Sequence, residues 1–220
     1  MELRQCKINF LGDSITAGAG TSAPDKTFCG VIERKYGAVC RNYGIGGTRI
    51  ARQQHKTDIC YDSEDFCSRF CKMEQDADVV VVFGGTNDYG HGDAEIGTTE
   101  DNSPYTFCGG LNNLFEKLSA IYGKEKICFI LPARRFDEND LCGGGRRKPT
   151  LPLKGYVDII RSFCIVHGVD YIDLYNDGFP VPETDRGDEF TADGLHPNDK
   201  GHAFIAEKIK EYLAFRGLIG

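Results

Sequence analysis

Five short apolar runs alternate with longer amphipathic stretches along this chain, and that alternation limits the folds open to it. The runs are Ile8–Leu11, Val39–Tyr43, Val79–Phe83, Ile127–Leu131 and Tyr171–Leu174. Between and after them, helical spacing predicts helices over Thr27–Tyr36, Glu64–Glu74, Tyr105–Tyr122, Leu153–His167 and Asp199–Phe215. Strands separated by helices pair in parallel, because a helical crossover returns the chain to the same end of the sheet. Val79–Phe83 reads VVVVF with no polar alternation, the pattern of a central strand buried on both faces. In the last helix Ala203, Ile205, Ala206, Ile209, Tyr212 and Leu213 fall near a period of 3.6, with Pro197 and the capping residue Asn198 ahead of it. The expected fold is α/β: a three-layer αβα sandwich on a central, mostly parallel five-stranded sheet. A chain of 220 residues suits one domain over 1–220, and no internal repeat suggests a second.

Composition narrows the partners. A formal net charge of −7 argues against nucleic acid or an anionic membrane, because both require basic surface to displace counterions. The longest apolar stretches are too short to span a bilayer. The start, MELRQCKINFLGDS, enters a strand within a few residues and lacks the long apolar stretch of an export signal. Of ten cysteines, Cys40, Cys128 and Cys164 fall inside apparent core elements, where free thiols act as small hydrophobes. Reduced cysteines in a cytoplasmic protein are therefore expected. Cys60, Cys67 and Cys71 contain no CxxC pair and no nearby His, so no metal site is expected.

Three long loops, Tyr89–Pro104, Ala133–Pro152 and Tyr175–Ala192, follow predicted strands at the sheet edge where α/β folds bind ligands. Ser14 ends the first strand in the turn Gly12-Asp13-Ser14, and Asp193 precedes His196 by three positions in TADGLHP. A hydroxyl becomes a nucleophile when a base takes its proton, and the base needs a carboxylate to hold its tautomer. Asn87, in VVVVFGGTNDYG, could donate to a developing oxyanion from the end of the third strand, as could a backbone N–H of the Gly46-Gly47 turn in NYGIGGT. Taken singly, each has an ordinary explanation: Asp13 or Ser14 as a helix cap, Asp193 and His196 in a solvated turn, Asn87 and the glycines in plain turn chemistry.

Their joint occurrence at strand ends, in order, changes the reading. The blocks FLGDSITAG, NYGIGGT, GGTND and DGLHPN resemble those of the SGNH hydrolases, the GDSL-type esterases and lipases, over about Ile8 to Phe215. GDSI stands here in place of GDSL. The resemblance implies Ser14 as nucleophile, His196 as base, Asp193 as its orienting carboxylate, and Gly47 and Asn87 as oxyanion donors, with Gly46 the alternative to Gly47. It implies a serine esterase working through an acyl-enzyme on a small-molecule ester, with no cofactor and no metal. The polar, glycine-rich loops favour a short, acetyl-like acyl group on a polar alcohol such as a sugar. An acyltransferase, a lysophospholipase or a thioesterase would use the same residues, and a binding domain on a flavodoxin-like scaffold would use none. Oligomeric state is not legible in the chain.

Other residues have two readings. Tyr89 and His91 could line the pocket or sit in a solvated loop, and His202 reads as structural. Arg134 and Arg135 could meet a polar substrate or pair with Asp137 and Glu138, and Arg49 is similarly open. Asp13 and Asp88 read as residues that hold loops.

Overall fold

The computed structural model describes residues 5–55, 63–142, 146, 148 and 150–219. Five strands, β1 (Lys7–Gly12), β2 (Val39–Gly44), β3 (Val79–Phe83), β4 (Ile127–Leu131) and β5 (Asp170–Asp173), form one sheet in the order β2-β1-β3-β4-β5. Every pairing is parallel. In this register Gly12 lies between Gly44 and Phe83, so the chain segments leaving β1, β2 and β3 emerge side by side. The order reverses between β1 and its two neighbours, and such a reversal opens a crevice at the carboxyl edge of the sheet.

The central strands β3 and β4 are buried and apolar on both faces because helices cover both. Val79, Val81 and Phe83 pack with Ile8, Phe10, Cys128 and Ile130 under α2 (Phe28–Tyr36) and α7 (Asp199–Phe215), which contribute Val31, Ile32, Ile205, Ile209 and Leu213. Val80 and Val82, on the opposite face, pack with Leu11, Ile127 and Phe129 against α5 (Phe107–Tyr122) and α6 (Leu153–His167). Side chains one residue apart on a strand thus serve separate cores, and the three-layer sandwich follows. Thr27, Thr106 and Asn198 cap α2, α5 and α7 with their side-chain oxygens, satisfying N–H groups the first turn leaves open.

Four elements differ most from the sequence reading. Short helices α1 (Ser14–Ala17) and α4 (Thr86–His91) begin directly behind β1 and β3, where turns or loop were expected. The helix predicted over Glu64–Glu74 is a single turn, α3 (Phe66–Arg69), followed by a 3₁₀ turn at Phe70–Lys72. It cannot continue, because Glu74 is drawn out toward the sheet: its N–H donates to Tyr43 Oη and its carbonyl accepts from Asn9 Nδ2. β5 begins one residue early, at Asp170, and ends at Asp173.

The cysteines among the described residues form no disulfides, and Cys6, Cys29, Cys67, Cys108, Cys128 and Cys164 are buried. Cys60, part of the trio weighed for metal binding, lies outside the described residues. Among the described residues no helix is long and apolar enough to cross a membrane, and no three side chains form a metal-binding group.

Candidate active site

Ser14 is the first residue of α1, reached from β1 through Gly12 and Asp13. The turn is sharp because backbone packs on backbone: a Cβ on Gly44, beside it at the end of β2, would lie 2.3 Å from Ala17 N. Asp13 caps α1, accepting from Ile15 N at 3.0 Å. Burial pushes the Asp13 carboxyl up to about 7, since a charged carboxylate loses its hydration there.

His196 reaches Ser14 from the far end of the chain. Its Nε2 is 3.0 Å from Ser14 Oγ, and its Nδ1 is 2.7 Å from Asp193 Oδ2. The second oxygen, Asp193 Oδ1, accepts from the backbone N–H groups of His196 at 2.7 Å and Leu195 at 3.1 Å. Burial raises the Asp193 carboxyl, but the bonds from the His196 ring and backbone outweigh it and hold the group below its ordinary value. The fold-back depends on Gly194, whose φ is +75°, a region that residues with a Cβ avoid. Ala192 N donates to His196 O across the base of this turn, and Asn198 closes it by donating to Thr191 O. A carboxylate on Nδ1 selects the tautomer in which Nε2 accepts a proton from the serine.

The glycine turn and Asn87 lie on the other flank. A Cβ on Gly46 would lie 3.8 Å from Ser14 Cβ, and Gly47 has a φ of +74°, so this backbone passes beside the serine. Asn87, in the first turn of α4, donates one Nδ2 hydrogen to Thr48 O at 3.0 Å, while His91 Nε2 lies 2.9 Å from its Oδ1. With the ring nitrogen donating, the amide is oriented and its second hydrogen points elsewhere. Behind this flank is a buried polar layer. Asp88 accepts from Ile50 N at 3.0 Å and Ala51 N at 2.9 Å, so it holds the segment after the glycine turn. Arg69, from α3, donates to the carbonyls of Gly12 and Tyr43.

Six further residues weighed from sequence are placed by the fold, and Arg134, Arg135 and His202 take one of the readings the sequence offered. Tyr89 is fully buried, with its hydroxyl donating to the carbonyls of Asp137 and Asp140; it neither lines a pocket nor sits in a solvated loop. His91 supports Asn87 rather than facing solvent, and Arg49 is buried, donating toward His91 O at 3.5 Å. Arg134 is committed to Glu138, with its guanidinium 4.3 Å from the Tyr175 ring centroid, and Arg135 to Asp137. His202 packs inside the molecule: Phe28 N donates to its Nδ1 at 3.1 Å and the two rings stack. Burial lowers its pKa to about 4. Arg69 was missed altogether. Its neighbours Ser68, Phe70, Cys71 and Lys72 offer no sign that an arginine in this position turns inward.

Solved structures share this arrangement of elements. A protein from Lactobacillus plantarum superposes with a TM-score of 0.77 and 27% identity, over 96% of this chain and 97% of that one. A lipase/acylhydrolase from Enterococcus faecalis gives 0.68 and 25%, over 98% of both chains. An acetyl xylan esterase, AlAXEase, gives 0.61 and 23% over 94% of this chain and 99% of that one, a likeness of fold. Comparison with curated protein sequences finds no significant match. The sequence model of one family spans residues 10–204, from the strand that leads to Ser14 to the helix that follows His196, and by it the chain belongs to the GDSL-like Lipase/Acylhydrolase family, whose members are ester hydrolases.

Proposed function

We propose that this protein is a serine esterase that removes a short acyl group, acetyl above all, from a polar alcohol of the carbohydrate class through an acyl-enzyme. The observation that carries the reading is the unbroken line Asp193 Oδ2, His196, Ser14 Oγ, with contacts of 2.7 and 3.0 Å. Ser14 Oγ attacks the carbonyl carbon and gives its proton to His196 Nε2, while Asp193 stabilises the imidazolium. The oxyanion is stabilised by the N–H groups of Ser14 and Gly47 and by the second hydrogen of Asn87 Nδ2. His196 then protonates the leaving alcohol. In deacylation it takes a proton from water, whose oxygen attacks the acyl carbon, and Ser14 recovers its proton as the acid departs. These steps use side chains and backbone alone.

The short acyl group is supported by the polar, glycine-rich loops and, as analogy, by the acetyl xylan esterase of like fold. One observation favours a second reading. Phe136 is 41% exposed and its N–H donates to Gly194 O, beside the His196 turn, so an apolar ring is offered to a longer acyl chain or an aromatic alcohol. Hydrolysis of p-nitrophenyl acetate, butyrate and octanoate, followed by acetylated xylan, tests both. Acetate release that disappears in Ser14→Ala, with kcat/KM falling as the chain lengthens, is expected. A preference for octanoate would replace the short-acyl reading, and activity that survives in Ser14→Ala would overturn the nucleophile.

A further inference from the structure

Arg69 is a charged residue only 3% exposed. Its Nε donates to Glu64 O at 2.9 Å, its Nη1 to Tyr43 O, and its Nη2 to Gly12 O and, at 3.0 Å, to Thr48 Oγ1. The guanidinium also lies 4.8 Å from the Phe66 ring centroid. A guanidinium is unfavourable in the interior unless its N–H groups find acceptors. Here they find three carbonyls and a hydroxyl.

The identity of those acceptors is informative. Gly12 is two residues before Ser14. Tyr43 is the next-to-last residue of β2, the strand that leads into the Gly46-Gly47 turn, and Thr48 follows that turn. The Thr48 carbonyl accepts from Asn87 Nδ2 at 3.0 Å. One rigid planar fork therefore binds the segment that carries the serine and both sides of the glycine turn, and reaches Asn87 through a single residue. We infer that Arg69 is the positioning residue of the oxyanion site, fixing the spacing between the Ser14 N–H, the glycine-turn N–H and the Asn87 amide. This role rests on the serine-esterase reading above. Arg69 touches no reacting atom. It acts by keeping the donors preorganised, an effect felt in the transition state more than in substrate binding, and a misplacement of about 1 Å can cost about a hundredfold in rate.

The test is a double-mutant cycle with p-nitrophenyl acetate, in which kcat, KM and the melting temperature are measured for Arg69→Met, Asn87→Ala and the pair. Expected are a kcat loss of about thirtyfold for Arg69→Met with KM within about twofold, and about a hundredfold for Asn87→Ala. The double variant should fall no more than about threefold below Asn87→Ala, because a displaced donor cannot be lost twice. Losses that simply multiply, or a lowered melting temperature with kcat intact, would make Arg69 a structural residue and overturn the inference. Thr48→Val removes one acceptor and carries the test where Arg69→Met does not fold. Its expected kcat loss, about threefold or more, should vanish in the Asn87→Ala background, and unchanged kcat would overturn the inference. An Asn87→Ala protein with unchanged kcat would instead overturn the oxyanion reading on which the role of Arg69 rests.

Discussion

The two flanks of the candidate site are built differently. Around the glycine turn, Asp13, Asn87, Asp88 and Arg69 are all buried, and hydrogen bonds of the last three join segments far apart in the chain: Asn87 donates to Thr48, Arg69 to Gly12, and Ile50 and Ala51 to Asp88. On the other flank the side chains of Asp193 and His196 are 49% and 24% exposed, and the turn is tied mostly to itself between Asp188 and Asn198. Removing a buried partner strands a polar group away from water, which costs stability. Removing an exposed one does not. Rate and stability should therefore be coupled on the first flank and separable on the second.

The largest expected effect is on the exposed flank. Asp193→Asn should lower kcat by about a thousandfold or more, because the imidazole loses the partner that sets its tautomer, while the melting temperature stays within about 2 °C of wild type. Parallel kinetics and thermal melts check this, and a large loss of stability would erase the contrast between the flanks. On the buried flank, Asp88→Ala should cost about 2–3 kcal/mol, because the N–H groups of Ile50 and Ala51 lose their acceptor. Chemical denaturation measures it, and the lost stability should come with lost activity.

The smallest effect is a pH dependence. Asp13 titrates near 3.8 when unfolded and at about 7 in the fold. Between those values the folded state binds more protons, so this contribution to stability is present at low pH and is lost as pH rises through about 7. Asp13→Asn keeps an oxygen to cap α1 but cannot ionise. Its melting temperature should fall less than that of wild type between pH 5 and 8, and identical profiles would remove Asp13 from the account.

The sheet and its strand ends were legible because burial on both faces leaves an unbroken apolar run such as Val79–Phe83, and because Ser14, Gly47, Asn87, Asp193 and His196 each stand in a short block with its own turn chemistry. What was not legible lies where tertiary contacts override local pattern. Arg69 has the sequence surroundings of a surface arginine, and only the carbonyls at the ends of β1 and β2 turn it inward. Tyr89 and His91 looked like loop residues because α4 begins inside a glycine-rich turn that ordinarily breaks helices. The pairs Arg134 with Glu138 and Arg135 with Asp137 were among the options read from sequence, but proximity in the chain could not choose between them and a ligand.

The contact between His196 and Ser14 spans 182 positions. Synthesis proceeds from the N-terminus, so β1 with its serine emerges well before the imidazole, and the pair can form only once α7 has followed and settled against α2. Contacts so distant in sequence form late. A chain that has not yet docked α7 therefore carries an unactivated serine, and on the esterase reading hydrolytic capacity is acquired only with that docking, which makes turnover a direct report on how much of a refolding sample has closed α7 onto the sheet.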